Sequence, residues 1–148
     1  MSPEVEAVPV LLVEPELSAQ LQRLEAFHQA HASIDLTCVA TCGGALHALD
    51  ATRFECVLLP TYLCLYPAEQ DDLRSLVRRA RGDAVAVLAL GGGDAALLGV
   101  PVHASVSYLD VALGRLNETL RRARLRAAIE RRFVSGITGL AGPAKKVR

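Results

Sequence analysis

Phe54-Glu55-Cys56-Val57-Leu58-Leu59-Pro60 is the segment from which the architecture follows. Its apolar run has no polar alternation, as a strand has when both of its faces are covered. Similar runs recur at Ala7–Val13 and Ala84–Leu90, Ile34–Ala40 is a further strand that carries Asp35 and Thr37, and Ser105–Leu109 is a candidate fifth strand. Amphipathic stretches separate them. Glu16 to His31 predicts a helix with Leu17, Leu21, Leu24 and Phe27 or His28 on its inner face. Gly43-Gly44 opens a short helix carrying Leu46, His47 and Leu49. Glu69 to Arg81 predicts a helix stopped by Gly82, with Leu73, Leu76, Val77 and Ala80 inward. Gly91-Gly92-Gly93 breaks the fourth strand, Asp94 to Leu98 suits a short helix, and Asp110 to about Phe133 suits a long one.

Strands alternating with helices imply one α/β domain whose parallel sheet has right-handed crossovers and helices on both faces. The expected order is the flavodoxin-like 2-1-3-4-5. A chain of 148 residues with 51% hydrophobic residues has the length and composition for one core. Sixteen basic and sixteen acidic residues cancel, which argues against a wholly basic nucleic-acid binder. Most of the Lys and Arg residues lie from Arg115 onward, against Glu118 and Glu130, so the last quarter is a basic arm. The apolar runs are too short to span a bilayer, and Met1-Ser2-Pro3-Glu4-Val5-Glu6 lacks a signal peptide's basic start. A cytoplasmic chain is expected. Cys38, Cys42, Cys56 and Cys64 form no CxxC pair and read as buried free thiols, with neither metal nor cofactor implied.

Several local motifs resemble the receiver domains of bacterial response regulators. Leu11-Leu12-Val13-Glu14-Pro15-Glu16 is similar to the first receiver strand and its acidic pair. Val57-Leu58-Leu59-Pro60 is similar to the strand ending at the phosphorylated aspartate, and Ser107-Tyr108-Leu109-Asp110 resembles the "D-Y-L" signature. The resemblance implies a CheY-like fold over about residues 7 to 126. It also implies that the phosphorylation pocket is degenerate. Pro60 stands at the acceptor and has no nucleophile. Pro15 replaces one acid of the pair, leaving Glu14 where a Mg²⁺ site wants several oxygen ligands. Ala89 falls at the hydroxyl sensor, and Val111, followed by Ala112, at the conserved lysine. Thr61 and Tyr62 follow Pro60, but nearby sequence supplies no activating base. The glycine triplet lacks the G-K-[ST] ending of a phosphate loop. No Ser-His-Asp or Cys-His spacing appears, so no enzyme is expected.

Leu113, Leu116, Leu120, Ala123 and Ala127 follow a seam spacing, and Leu125, Ile129 and Phe133 form a second apolar line among arginines. With Tyr108, the leucines of the seam and this second line make a candidate interface, implying a homodimer. Residues 1–126 read as a pseudo-receiver and 127–148 as a helical linker and basic tail. Ile137 to Arg148 resembles the entry segment of the AAA+ ATPase domain in sigma-54-dependent transcription activators, as in flagellar master regulators, through Gly139, Pro143, Val147 and Arg148. Ala128 to Arg132 also resembles connectors that follow receivers in multidomain sensor kinases and cyclic-dinucleotide enzymes. Either implies an output domain, with no specific nucleic-acid contact by this segment. The other expectation is a ligand- or thiol-redox-sensing domain using Cys42, Cys64, Tyr62 and the glycine triplet Gly91-Gly92-Gly93 at the carboxyl edge of the sheet.

Overall fold

The computed structural model describes residues 7–30, 33–91, 96–97, 100–108, 111 and 114–146, and the backbone only at 30, 96–97, 100–101 and 133–146. Along the chain come β1 (Val8–Val13), α1 (Leu17–Ala30), β2 (Ile34–Val39), α2 (Cys42–Ala51) and β3 (Cys56–Pro60). Two 3₁₀ turns, Thr61–Leu65 and Pro67–Glu69, lead into α3 (Gln70–Gly82). Then follow β4 (Ala86–Leu90), β5 (Ala96–Leu97), β6 (Val100–Pro101), β7 (Ala104–Val106) and α4 (Leu116–Lys146). Five parallel strands pair in the order β2-β1-β3-β4-β7, which is the expected 2-1-3-4-5.

The two-residue period of a strand divides the interior into two layers. Leu11, Val13, Val57, Leu59, Val87 and Ala89 face α2 and α3, where Leu73, Leu76, Val77 and Ala80 meet them. Val10, Leu12, Cys56, Leu58, Leu88 and Leu90 face the other way, against Phe27 of α1 and Leu116, Leu120, Ala123 and Ala127 of α4. Every residue of β3 and β4 is buried, which explains their unbroken apolar sequence.

Four local expectations are corrected. The segment expected as a helix near Asp94–Leu98 has Ala96–Leu97 paired antiparallel with Val100–Pro101. Only two residues, one of them Gly99, separate these strands, a length that suits a hairpin. The fifth sheet strand is Ala104–Val106 instead of Ser105–Leu109, because a helical turn begins at once, with Val111 N–H donating to Ser107 O at 3.1 Å. The helix α3 runs through Gly82, and the left-handed residue is Ala84, at φ 59°. The last helix begins at Leu116, after Gly114 at φ 74°, and its backbone stays helical to Lys146.

The largest correction concerns α1. Of its expected inner residues only Phe27 is buried; Leu17, Leu21 and Leu24 are 72%, 63% and 37% exposed. The helix instead turns Gln20 and Arg23 toward the end of β1. Gln20 Nε2 donates to Glu14 O at 2.7 Å, and Arg23 Nε lies 3.8 Å from Glu14 Oε1. Rotating the leucines inward would take the cation away from a fully buried carboxylate and strand its charge.

The helix α4 meets residues that precede successive strands. Ser33 Oγ lies 3.5 Å from Asn117 Oδ1, Glu55 pairs with Arg124, and Arg126 Nη1 donates to His103 O at 2.7 Å. The helix therefore follows the amino edge of the sheet. Ala127 is buried and Glu130 is bonded to Arg81, so docking continues past residue 126.

Candidate functional site

At the carboxyl edge of the sheet, where open α/β folds place their ligands, the chain assembles a closed cluster of four side chains. Glu14 follows β1, with its N–H donating to Val39 O at 2.8 Å, and its side chain is fully buried. Tyr62, in the turn after β3, donates its hydroxyl to Glu14 Oε2. The guanidinium of Arg23 completes an ion pair with Glu14 and stacks 4.3 Å from the ring centroid of Tyr108. The Tyr108 ring lies on Gly91, which ends β4 at φ 102°. A carboxylate, a cation and two phenols thus gather at one edge: Tyr62 bonds Glu14 Oε2, while Glu14 Oε1 and Arg23 Nε face each other at ion-pair distance without a hydrogen bond. Burial, reinforced by the Glu14 bond, pushes the Tyr62 phenol far above its usual range, and burial likewise raises Tyr108. Both rings are neutral hydroxyls at physiological pH.

Of the residues expected around a degenerate phosphorylation pocket, Glu14 lies in this cluster, and Pro15 and Pro60 sit beside it in the chain. Pro60 ends β3, buried and paired in register with Leu90. Ala89 and Val111 are not brought there. Strand alternation turns Ala89 into the core under α2 and α3, and Val111 packs into the core under α1 and α4. Among the described residues no group of three His, Cys, Asp or Glu side chains is placed to hold a metal ion. Arg23 was not singled out from sequence as a site residue, whereas Gly91, of the glycine triplet, was expected at this edge. The usable signal was helical phase: counting back from Phe27 by four and seven residues reaches Arg23 and Gln20, not the leucines.

The expected interface is divided. Leu116 and Leu120 are buried in the core, Tyr108 is half-buried under Arg23, and Leu125 and Ile129 are 60% and 55% exposed. Leu113 and the side chain of Phe133 lie outside the described residues.

All four cysteines are free thiols. Burial pushes Cys38 up to about 11 and Cys42 up to about 12, the latter helped by Glu69, whose Oε1 accepts from Cys42 N–H at 2.7 Å. Cys56 is buried and raised further.

A second polar cluster ties α4 to the sheet. His103 is buried, its Nδ1 accepts from Val87 N–H at 2.9 Å, and its N–H donates to Val87 O at 2.8 Å. The ring thereby extends the β4 ladder by one bond. Its Nε2 faces Glu130 Oε2 at 3.6 Å, and Arg81 grips Glu130 through Nε at 3.1 Å and Nη2 at 2.6 Å. Burial lowers the His103 pKa, against the pull of Glu130; Arg81 and Arg126 also oppose the cation. The Arg81 bond lowers that of Glu130. A depressed histidine means that the unfolded chain takes up the proton first, near the ordinary value of about 6.5. Its contribution is therefore full above that pH and is lost as pH falls through the folded value. Glu130 adds a loss below about 4.3, the ordinary glutamate value. Urea unfolding followed from about pH 7 to about pH 5 is expected to show falling stability. His103→Asn, whose Oδ1 accepts from Val87 N–H, is expected to flatten that slope; an unchanged slope in the variant would assign it elsewhere.

No protein-family model matches the sequence, and no curated protein does. Solved structures do match the fold. The receiver domain of the sensor histidine kinase PA1611 from Pseudomonas aeruginosa PAO1, which holds a magnesium ion in its active-site cleft, superimposes with a TM-score of 0.60 at 18% identity. That match covers 80% of this chain and 98% of the other. The signal receiver domain of an HD domain-containing protein from Pseudomonas fluorescens Pf-5 gives 0.61 at 18% identity, over 89% and 97% of the two chains. The pseudo-receiver domain of the CikA protein gives 0.51 at 21%, over 74% and 98%. The fold is that of a CheY-like receiver. Among the described residues no helix is long and apolar enough to cross a membrane.

Proposed function

We propose that this chain is a regulatory module of receiver fold that takes no phosphoryl group at Pro60. It would act through protein–protein contact, as a homodimer, on an attached or separate output domain, with transcription as the controlled process. The tail's likeness to the entry of an AAA+ ATPase domain favours an output of that kind. The observation that carries the reading is that Glu14, at the edge where a receiver holds its ion and its phosphoryl group, is bonded by Tyr62 and paired with Arg23, which stacks on Tyr108. Proline supplies no acceptor there, and the remaining carboxylate is already engaged by a phenol and a guanidinium. The regulatory step is a population shift between assemblies, driven by a partner that prefers one of them.

Incubation of the intact chain with acetyl phosphate and Mg²⁺, followed by mass spectrometry, is expected to leave it unmodified. Tyrosine fluorescence is expected to be unmoved by beryllofluoride with Mg²⁺. A stoichiometric phosphoryl adduct would sink the proposal. The thiol-sensing alternative gains no support, since a sensor needs a lowered thiol pKa and three of the four thiols are raised.

A further inference from the structure

Two helix faces of this chain are apolar, turned outward, and opposite in charge. On α1, Leu17, Leu21 and Leu24 recur at spacings of four and three on one exposed face. Glu16 and Glu25 flank the stripe, both exposed, and neither pairs with a cation among the described residues. On α4, Leu125 and Ile129 stand one turn apart, and Leu125 lines a cleft of about 820 Å³. That cleft opens along the amino edge of the sheet between α4 and the loops preceding β3 and β4. Arg53, Arg121, Arg124 and Arg131 line it with Asp50, Glu55 and Asp83. Glu55 pairs with Arg124, and Asp50 and Asp83 pair with Arg79, which leaves Arg53, Arg121 and Arg131 without a carboxylate partner among the described residues.

We propose that a second copy of this chain seats the leucine stripe of its α1 in this arginine-lined cleft, with Glu16 and Glu25 meeting Arg53, Arg121 and Arg131. The inference deepens the self-association in the proposed function and rests on it. Charge complementarity selects the occupant: the cleft needs an acidic partner with an apolar ridge, and the outer face of α1 is one. It also sets the kind of interface. Two copies that engage reciprocally, stripe to cleft and cleft to stripe, form an isologous two-fold dimer; a one-way contact is heterologous and adds copies in an open chain.

The test is mutational complementation in the full chain. Leu21→Asp removes the stripe and Leu125→Asp removes the apolar lip of the cleft, while both positions are exposed and outside the core. Sedimentation equilibrium over a concentration series is expected to show each variant weakened in self-association by about tenfold or more, with circular dichroism unchanged. An equimolar mixture of the two is expected to recover association, since one intact stripe then meets one intact cleft. Recovery is specific to a stripe-into-cleft contact. If both variants associate like the parent, or the mixture recovers nothing, the cleft is not the seat of α1, although self-association itself stands. A parent chain that stays monomeric at every concentration overturns this contact and the homodimer together, leaving the phosphoryl-transfer test above unaffected.

Discussion

Gly91→Ala is expected to destabilise the fold by about 2–5 kcal/mol. Two separate costs add. At φ 102° the backbone lies in a region that an L-residue enters at a cost of about 1–2 kcal/mol. An added Cβ would also overlap Cε2 of Tyr108 and stand 3.2 Å from Cδ2 and Cζ of the same ring. Overpacking of this kind costs about 1–3 kcal/mol. The ring's only relief is to leave Gly91, and then it leaves the guanidinium of Arg23 as well. The chain has no Trp and three Tyr, so tyrosine emission during urea unfolding reports both stability and the displaced ring. Gly91→Ala combined with Tyr108→Ala separates the terms: the overlap vanishes and the backbone cost remains. A single variant within about 0.5 kcal/mol of the parent, the range of innocuous surface changes, would mean that Tyr108 does not rest on this glycine.

The sheet was legible because β1, β3 and β4 are buried on both faces and must be apolar throughout. A run such as Val57-Leu58-Leu59 between turn signals reads as a buried strand by its short length, not by its periodicity. Strand order followed from the alternation of elements. The helices show where this logic stops. A stripe of leucines on α1 looked like the buried face because hydrophobic spacing carries phase but no absolute direction. What fixed the direction was a carboxylate buried at the end of another element, reached by Arg23 and Gln20. That contact is non-local, so no window along α1 contains it. The same limit applied to β7, shortened by a turn whose bond joins Val111 to Ser107, and to the cleft, assembled from loops and a helix far apart in sequence. Pro60 at the carboxyl end of β3 was legible, since strand and residue type are both local. The grouping of Glu14, Arg23, Tyr62 and Tyr108 was not, because the four come from separate segments.

Arg23→Met is expected to cost about 2–4 kcal/mol, and its partner variants test whether the cluster acts as a unit. Removing one member of a buried ion pair typically costs about 3–5 kcal/mol, because the other charge is stranded. Here the carboxylate side chain of Glu14 is 0% exposed but that of Arg23 is 28% exposed, so solvent already shares the cation and the lower part of the range applies. Glu14→Gln together with Arg23→Met is expected to recover most of the loss, since no charge then remains in the interior. Tyr62→Phe alone is expected to cost about 1–3 kcal/mol, the penalty for leaving a buried acceptor without its donor. Arg23→Lys separates charge from shape. An ammonium keeps the pairing with Glu14 but gives up the planar stack on Tyr108, so a partial loss is expected. A double-mutant cycle on Glu14 and Arg23 gives the interaction free energy directly. A coupling near zero would mean that the two groups are neighbours without dependence, and the edge would then be available to a ligand. A coupling of about 1–3 kcal/mol means that the carboxylate is held by its own chain, and that any partner acting at this edge must first displace Arg23.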